Sequence, residues 1–566
     1  ASLINRADVE SVISATDYDR EGQIIGDIIL DFLNVEKPIE RLLLNEWTPD
    51  EVNGGLAKTI DNTTMSNLKD AGICRQFADW IIGINLTSVT TLKYQRGSGK
   101  PLNIGRVLLP TLKIVYDRDK EIEEFVPEEF HRLLADFKTE ASESVDSTYR
   151  IENNEKFDDK KILEDVLEKV KGHKAKVSDK LVETKKEYAP ALFNLSNLQG
   201  YVTSKENGWT SDKVLKVAQE LYEKKIITYP RTSSVALDES LVEKTKKVLN
   251  VHKKNFKYED EIKFTSSKRV FDNKKVESHS AIIPTYMVAK SLSKDEQVVY
   301  NAVRNRFLMQ FMPIAEYEEA MVTIDFIDVP LEGSFITKGR IQLVSGWKKI
   351  ENIQSKDKIL PNIEVNQELE NTKNKIETKG TKPPKKHNEK TLLKIMETCG
   401  KRIKQDKIKE KEVFSEEDSS DEMNEEHDDE MIDSILSGFS IGTPATRAET
   451  IKKLKQVGYL DAKGKNLYVT DMGRRLVELY PIKELFDLEY TGRLEKTLSE
   501  IEKGNFTREK FLGIISDFTV KSVDLIKNDK YHVINELESN RNEGKEILGK
   551  CPNCGSDVFE GEKGFG

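Results

Sequence analysis

Cysteine is scarce in this sequence, which argues against a fold held together by disulfides. Four cysteines occur among 566 residues. The sequence also has no run of about 18 apolar residues, the minimum for a helix that crosses a membrane. We therefore expect a globular protein of the reducing cytoplasm with no membrane partner, and the length predicts several domains.

A nucleotide-binding phosphate loop is also missing. The stretch Gly97-Ser-Gly-Lys100-Pro101 contains suitable residue types. It lacks the Gly-x-x-x-x-Gly-Lys-Ser/Thr spacing, and the proline directly after the lysine favours a turn. The sequence thus gives no indication of a reaction driven by ATP.

Net charge decides little about the partner. The chain carries a formal net charge of −10, yet residues 416–433 contain eleven acidic side chains and no lysine or arginine. Without that segment the chain is close to neutral, and binding depends on where the basic residues cluster. The composition of 416–433 predicts a disordered, solvated loop.

The segment from Lys224 to Ser234 carries an arrangement suited to phosphate chemistry. An amphipathic helix is predicted over 211–225, followed by a short β segment over 226–229. Pro230 favours an extended Tyr229, so that Tyr229 and Arg231 share a face. A phenol that can act as a nucleophile, placed beside a fixed cation, is an arrangement suited to reaction with a phosphate group. Taken alone, Tyr-Pro-Arg is more often a surface turn.

Acidic residues follow a predicted strand near the start of the chain. Residues 11–16 form a strand-like run, and Asp17, Asp19, Glu21 and Gly22 come directly after it, before an apolar helix. Carboxylates at the end of a strand are oxygen ligands that suit Mg²⁺ together with substrate phosphates. The alternative is an acidic helix N-terminus, which the helix dipole favours.

Both segments resemble motifs of one family. Asp17-x-Asp19-x-Glu21-Gly22 is similar to the acidic motif of the TOPRIM fold, and Tyr229-Pro-Arg231-Thr232 resembles the active-site tyrosine motif of the type IA DNA topoisomerases. The likeness covers nearly the whole chain and is greatest to the bacterial topoisomerase III branch. The further matches, in the family's order, are Asn45-Glu46 with Thr48, residues 74–85, Gly105-Arg106-Val107 with Pro110-Thr111, His279 to Thr285, and Gly442 to Arg447.

The resemblance implies roles for individual residues. Tyr229 is the expected nucleophile, and the other expected catalytic residues are Arg231, His279 and Glu21. The expected ligands of the Mg²⁺ cofactor are Asp17, Asp19 and Glu21. The expected DNA-binding residues are Arg75, Gln76, Asp79, Arg106, Thr446 and Arg447.

Structural alternatives stay open for several of these residues. Arg75 and Asp79 are spaced for an i, i+4 ion pair on one helix. His279 taken alone is more often a structural hydrogen-bonding residue. Thr446 is explained equally well as a cap at the start of a helix over 448–456.

The resemblance also implies the fold, which is a multi-domain α/β chain with α-rich and β-rich parts around a toroidal type IA topoisomerase core. The expected parts are a partial TOPRIM domain (1–52), a helical base (53–123 and 371–543, with an acidic disordered loop at 405–434), a β-rich arch (124–186 and 314–370), a tyrosine domain (187–313) and a partial zinc-ribbon-like tail (544–566). Cys551 and Cys554 form only half of a zinc site, so no zinc is expected.

The implied reaction is transesterification. Tyr229 attacks a phosphodiester of single-stranded or negatively supercoiled DNA and forms a 5′-phosphotyrosine, and the break is resealed after a strand has passed, without ATP. We expect relaxation or decatenation by a monomer at the nucleoid, with a helicase as an optional partner.

Two alternative functions remain. The family's first TOPRIM strand, with a glutamate and a lysine, would precede Ala1, and the tail stops before a second cysteine pair. These departures imply a chain truncated at both ends, an inactive fragment that only binds single-stranded DNA. A TOPRIM nuclease or primase would explain residues 17–22 but not Tyr229.

Overall fold

The computed structural model describes residues 1–44, 49–96, 100–276, 279–288, 291–355, 357–399, 440–530, 532–536, 547–550, 557–561 and 564–565. Several sequence predictions lie outside the described residues, namely those for Asn45, Glu46 and Thr48, for the turn at Gly97 to Gly99, for the acidic loop, and for Cys551 and Cys554. The chain divides into two units. Unit 1 comprises Ala1–Leu43, Gly55–Asp119 and Lys386–Gly566, and unit 2 comprises Leu44–Gly54 and Lys120–Lys385.

Unit 1 combines a small sheet with many helices. Val12–Ser14 and Ile39–Arg41 pair in parallel, and Ile60–Asp61 adds an antiparallel strand. The helices are Arg20–Phe32, Ser66–Tyr94, Leu108–Glu123, residues 389–399, Pro444–Gln456, Asp471–Leu479, Leu488–Glu502 and Arg508–Asn528, with short 3₁₀ turns at Asn62–Met65 and Lys483–Phe486. The remaining strands are Gln95–Arg96 with Asn535–Glu536, Leu460–Lys463 with Asn466–Val469, and Ile547–Lys550, Asp557–Gly561 and Gly564–Phe565.

The core of unit 1 surrounds the helix Ser66–Tyr94, which we call the long helix. Its buried side chains recur at helical spacing, for example Ala71, Cys74, Ala78 and Ile82. They pack with buried residues of the last three helices in one cluster. This packing brings the long helix and the C-terminal helices into one body.

Unit 2 contains a closed barrel of six antiparallel strands. Around the barrel these are Glu368–Gly380, Glu129–Lys138, Ser144–Arg150, Ser334–Val344, Ala315–Phe326 and Ala175–Glu187, and the last pairs with the first. Buried residues alternate along Glu129–Lys138, at Leu133, Ala135 and Phe137, because successive side chains of a strand point to opposite faces. The helix Lys160–Val170 packs its apolar side chains into the same core.

The rest of unit 2 is helical and carries Tyr229. The helices are Pro49–Leu56, Leu195–Lys205, Ser211–Glu223, Val242–Lys253 and Lys294–Met309, and the 3₁₀ turns are Glu239–Leu241, Glu259–Glu261, Asn273–Lys275 and Gly346–Glu351. Among the described residues no helix is long and apolar enough to cross a bilayer. The mixed α/β, multi-domain character predicted from the sequence is confirmed.

Two predictions of local structure need correction. No strand forms over 226–229. The pairing in this segment is limited to a single bridge between Ile227 and Pro284. Pairing stops at Thr228, whose N–H donates to the carbonyl of Ile283 at 2.9 Å, since Pro230 has no N–H to continue a ladder. The helix predicted over 448–456 begins earlier, at Pro444, because proline is well tolerated in the first turn of a helix.

Candidate active site and nucleic-acid interface

Tyr229 lies at the end of a tightly fixed connection. The helix Ser211–Glu223 starts at Thr210, whose side chain accepts a hydrogen bond from the Lys213 N–H. It stops where Lys225 takes a left-handed φ of 65°, and the Ile226 N–H then returns to the Leu221 carbonyl at 3.0 Å. This geometry ends a helix sharply and fixes the direction of the segment that follows.

The Tyr229 ring is buried between two other rings. Its side chain is 2% exposed. The ring of Tyr222 meets it edge-on with centroids 5.3 Å apart, and the ring of His279 lies 4.5 Å away at 47°. The structure therefore brings together the tyrosine and the histidine that the sequence predicts to act together, although they are far apart along the chain.

Hydrogen bonds brace the residues after Tyr229. The Thr232 hydroxyl donates to the His279 carbonyl at 3.0 Å, and the Leu195 N–H donates to the Thr232 carbonyl at 3.1 Å. The Asn194 amide donates to the carbonyl of Ser233 at 2.9 Å. The tyrosine motif, the histidine motif and the start of the helix Leu195–Lys205 are thus linked.

Arg231 is the residue of this segment that is available to an anion. Its side chain is half-buried, and its Nε atom has no hydrogen-bond partner among the described residues. No ion pair joins it to another described side chain. A guanidinium is always charged and can hold two phosphate oxygens at once, so this arrangement suits a phosphodiester.

A small pocket next to Tyr229 contains a residue that the sequence did not single out. Tyr229, His279 and Lys244 line it together with apolar side chains such as Leu241. The Lys244 ammonium pairs with the Glu51 carboxylate at 2.8 Å within unit 2. In the sequence Lys244 is one of several lysines on an amphipathic helix, so no local pattern marks it.

Arg41 fixes the loop that carries the acidic motif of unit 1. It is fully buried. Its Nη1 donates to the carbonyls of Ser14, Thr16 and Leu42 at 3.1, 2.7 and 3.0 Å, and its Nη2 donates to the Asp17 carbonyl at 2.6 Å. These carbonyls lie where two parallel strands end. The Ser14 carbonyl also accepts from the Leu42 N–H at 2.9 Å, whereas Arg41 is the donor that the structure gives for the carbonyls of Thr16 and Asp17.

The acidic side chains do not converge as three ligands of one metal ion. Asp19 caps the helix Arg20–Phe32 by accepting from the Gly22 N–H at 2.7 Å, and Glu21 pairs with Arg75 at 3.2 Å. No group of three or more His, Cys, Asp or Glu side chains in the described part of the chain could hold a metal ion. Direct ligation by Glu21 therefore stays a prediction, and in this structure its carboxylate faces the Arg75 guanidinium.

Two carboxylates still fit Mg²⁺. Asp17 is partly exposed, and no hydrogen bond or ion pair joins its carboxylate to another described residue. The cation usually takes one or two protein carboxylates and completes its shell with water and phosphate oxygens. Asp17 and Asp19 match that donor set.

The expected DNA-binding residues of the long helix are joined to distant partners. Arg75 is buried and pairs with Glu21, so the i, i+4 pair with Asp79 is not formed. Asp79 instead accepts from Arg106, which is 1% exposed at its side chain and also pairs with Glu495. Gln76, by contrast, is exposed.

Glu495 is a second residue that sequence reasoning missed. Burial by itself would raise the pKa of its carboxyl, but the positive charges of Arg106, Arg75 and Arg20 outweigh burial and lower that pKa to about 2. Arg20, in the middle of the acidic motif, also pairs with Glu502. Glu495 lies in an ordinary amphipathic helix, so no pattern in the sequence points to it.

The motif from Gly442 to Arg447 forms the start of a helix. Thr443 is the N-cap residue of the helix Pro444–Gln456, and Thr446 completes a capping box, since its hydroxyl accepts from the Thr443 N–H at 3.0 Å. Thr446 therefore takes part in capping, but from within the helix and not as the cap of a helix over 448–456. Arg447 is buried and donates to the Ile441 carbonyl at 3.1 Å and to the Ser440 hydroxyl at 2.8 Å. The structure thus places Arg447 among backbone and hydroxyl groups of its own segment.

Comparisons with known proteins agree with the motifs. A family model described as DNA topoisomerase matches residues 63–513. A DNA topoisomerase 3 of Staphylococcus aureus (strain NCTC 8325) is 30% identical over 99% of this chain and 73% of its own length. A protein described as a putative DNA topoisomerase 3, from the S. aureus strain bovine RF122, is 29% identical over the same shares.

A solved structure extends the likeness to the fold. The full-length topoisomerase I of Thermotoga maritima matches with a TM-score of 0.69 and 25% sequence identity, over 98% of this chain and 83% of that one. The comparisons give no support to the expectation that the chain is inactive. Together with the family match over most of the sequence, they show that this chain belongs to the type IA DNA topoisomerases.

Proposed function

We propose that this chain cleaves one DNA strand through Tyr229, allows a strand to pass and reseals the break, so that it relaxes negative supercoils or decatenates DNA without ATP. The contact between the Tyr229 and His279 rings, with the available Arg231 guanidinium two residues on, carries the proposal. The toroidal core, a TOPRIM domain at 1–52 and the other predicted domain bounds belong to the same proposal.

The covalent step exchanges one phosphodiester for another. The Tyr229 oxygen forms a bond to phosphorus and loses its proton, while the bond from phosphorus to the 3′ oxygen breaks and that oxygen takes up a proton. A phenol with an ordinary pKa of about 10 is a weak nucleophile at neutral pH, so cationic groups have to assist. Arg231 balances the charge that develops on the phosphate, and His279 contributes hydrogen bonds to it.

The acidic motif at residues 17–22 is the proposed binding site for Mg²⁺. Asp17 and Asp19 would hold Mg²⁺, which would supply positive charge to phosphate oxygens. Arg41 keeps the loop in place through its hydrogen bonds to backbone carbonyls. Glu21 pairs with Arg75 in this structure, and its direct ligation of the metal stays a prediction.

Plasmid relaxation tests the proposal. The whole chain is incubated with negatively supercoiled plasmid and Mg²⁺ in the absence of ATP, and topoisomers are separated on a gel. We expect relaxation by the wild type and none by Tyr229→Phe, which retains the ring contacts but lacks the nucleophilic oxygen. Binding of single-stranded DNA by the wild type without any relaxation would overturn the proposal in favour of the DNA-binding alternative.

A further inference from the structure

The histidine motif is hydrogen-bonded along its length to the segment that carries Tyr229. The Thr228 N–H donates to the Ile283 carbonyl at 2.9 Å, and the Ile283 N–H donates to the Thr228 hydroxyl at 3.0 Å. Two residues further on, the Thr285 N–H donates to the Ile226 carbonyl at 2.9 Å. The position of Tyr229 therefore depends on where the histidine motif is held.

Thr285 also fixes the turn from which the Tyr229 segment starts. The residue is buried, and its hydroxyl donates to the Lys225 carbonyl at 2.7 Å. Lys225 has the left-handed φ of 65° at which the preceding helix stops. A residue other than glycine keeps such a conformation only when its surroundings support it. The hydroxyl of Thr285 is one such support.

His252 in turn holds the carbonyl of Thr285. This histidine lies in the last turn of the helix Val242–Lys253 and is 8% exposed. Its Nε2 lies 2.6 Å from the Thr285 carbonyl oxygen. Because a carbonyl oxygen only accepts hydrogen bonds, Nε2 carries the proton and donates it. Val248, one turn earlier, lines the pocket next to Tyr229, so this helix reaches the site at two points.

The surroundings of His252 favour its neutral form. Nδ1 accepts from the Tyr300 hydroxyl, which lies 3.4 Å away on the helix Lys294–Met309. Burial and the positive charge of Arg304 on that helix lower the pKa of His252, and they outweigh the opposite effect of the Thr285 carbonyl. At neutral pH His252 is therefore an uncharged donor, and an uncharged amide could take its place.

We propose that His252 is a positioning residue for strand cleavage, which fixes the place of Tyr229 through its hydrogen bond to Thr285. This inference rests on the proposed function, because it takes Tyr229 as the nucleophile. His252 exchanges no proton with the substrate. Its effect is geometric, since a displacement of the attacking atom by about 1 Å can slow a reaction by about 100-fold.

Cleavage and binding measured separately test the inference. The whole chain, in excess and with Mg²⁺, is mixed with a 3′-labelled single-stranded oligonucleotide, and the covalent adduct is followed over time after quenching with denaturant. His252→Leu, which fills a similar volume but has no donor, should lower the rate constant of adduct formation by about 10- to 100-fold. It should leave the dissociation constant of the oligonucleotide nearly unchanged. His252→Gln, whose amide can donate to the same carbonyl, should restore most of the rate.

Two further variants separate positioning from a loss of stability. Ser147 is buried in the barrel, and its hydroxyl donates to the Ala135 carbonyl at 3.0 Å. Ser147→Ala therefore also removes a buried hydrogen bond to a backbone carbonyl, and it should lower the melting temperature without slowing adduct formation. Tyr300→Phe keeps the ring but removes the hydroxyl that Nδ1 accepts from. It should slow adduct formation, although by less than His252→Leu.

A double-mutant cycle supplies the contradicting outcomes. Thr285→Val removes the hydroxyl that is bonded to Lys225, so it acts on the same connection as His252→Leu. The double variant should then be no slower than the slower of the two single variants. Losses of rate that multiply, equal slowing by Leu and Gln at position 252, or a wild-type rate in His252→Leu would overturn the inference while the wild type still forms its adduct. No adduct from the wild type would remove this inference and the proposed function together.

Discussion

Arg106 donates a hydrogen bond from Nη1 to Glu495 at 2.7 Å, and the two residues are 389 positions apart in the sequence. Burial alone would raise the pKa of Glu495, but Arg106, Arg75 and Arg20 lower it from 4.5 to about 2. A carboxyl whose pKa is lower in the folded state stabilises the fold above its unfolded pKa. That stabilisation is lost as the pH falls towards the folded value.

We therefore expect Glu495→Gln to destabilise the protein near pH 7 by roughly 3 kcal/mol. The difference in the free energy of unfolding between the variant and the wild type should shrink as the pH falls from about 4.5 towards 2. Denaturant unfolding at several pH values measures this difference. Glu164→Gln is the matched control, because that carboxylate is 51% exposed in a surface pair with Lys160. A difference that persists unchanged at low pH would contradict the ion-pair account.

Gly22 allows the acidic loop to fold back onto its helix. A Cβ atom there would lie 2.1 Å from the Asp17 carbonyl oxygen, so Gly22→Ala must displace the loop. We expect a loss of about 1–3 kcal/mol in the free energy of unfolding, together with loss of plasmid relaxation.

The matched control for Gly22 is Gly513→Ala. That glycine also lies within a helix, Arg508–Asn528, and a Cβ there meets nothing within 4 Å. The substitution Gly513→Ala should leave the free energy of unfolding unchanged or raise it by up to about 1 kcal/mol. Equal effects of the two substitutions would show that crowding by Asp17 is not the cause.

Arg41 is expected to be essential to the geometry of the acidic loop. Arg41→Met removes a hydrogen-bond donor from each of four carbonyls, including those of Thr16 and Asp17. The free energy of unfolding should fall by about 3–5 kcal/mol. Hydrogen exchange should report faster exchange at the Gly22 amide, which is bonded to Asp19. Unchanged exchange there would mean that other contacts hold the loop.

Cys74 and Cys399 are buried and should resist alkylation in the folded protein. Burial raises the pKa of the Cys74 thiol to about 11, so little thiolate exists at neutral pH. Iodoacetamide at about pH 7.5 should leave both thiols unmodified until denaturant is added, as read by peptide mass spectrometry. The variant Cys551→Ser/Cys554→Ser removes the other two thiols from the measurement, and rapid labelling of Cys74 in it would contradict its burial.

Patterns within short segments predicted the local fold well. The spacing of five apolar residues predicted a helix over 211–225, and the structure has the helix Ser211–Glu223. Four of the five are buried and Leu215 is half-buried; the four are Val214, Val217, Ala218 and Leu221. The predicted strand at 226–229 was wrong, since pairing there is limited to one bridge at Ile227. Sequence alone overestimates a strand when a proline removes the donor that would extend it.

The candidate site was predicted only in part, for a physical reason. The motifs identified Tyr229 and His279, whose rings meet. They could not identify Glu495 or Arg41, because the role of a buried charge depends on partners that folding brings from distant segments. Arg106 is a further example of a buried charge whose partners a local motif does not reveal. The motif implied a DNA contact, whereas the structure pairs its guanidinium with the carboxylates of Asp79 and Glu495.

Mapping the covalent adduct tests the central claim most directly. The whole chain is incubated with Mg²⁺ and a single-stranded oligonucleotide, quenched with denaturant and digested with trypsin, and DNA-linked peptides are sequenced by mass spectrometry. The account predicts a 5′-phosphate bonded to Tyr229 in the peptide 226–231, with a free 3′-hydroxyl on the released strand. An adduct on a different residue, or none while the oligonucleotide is bound, would contradict it.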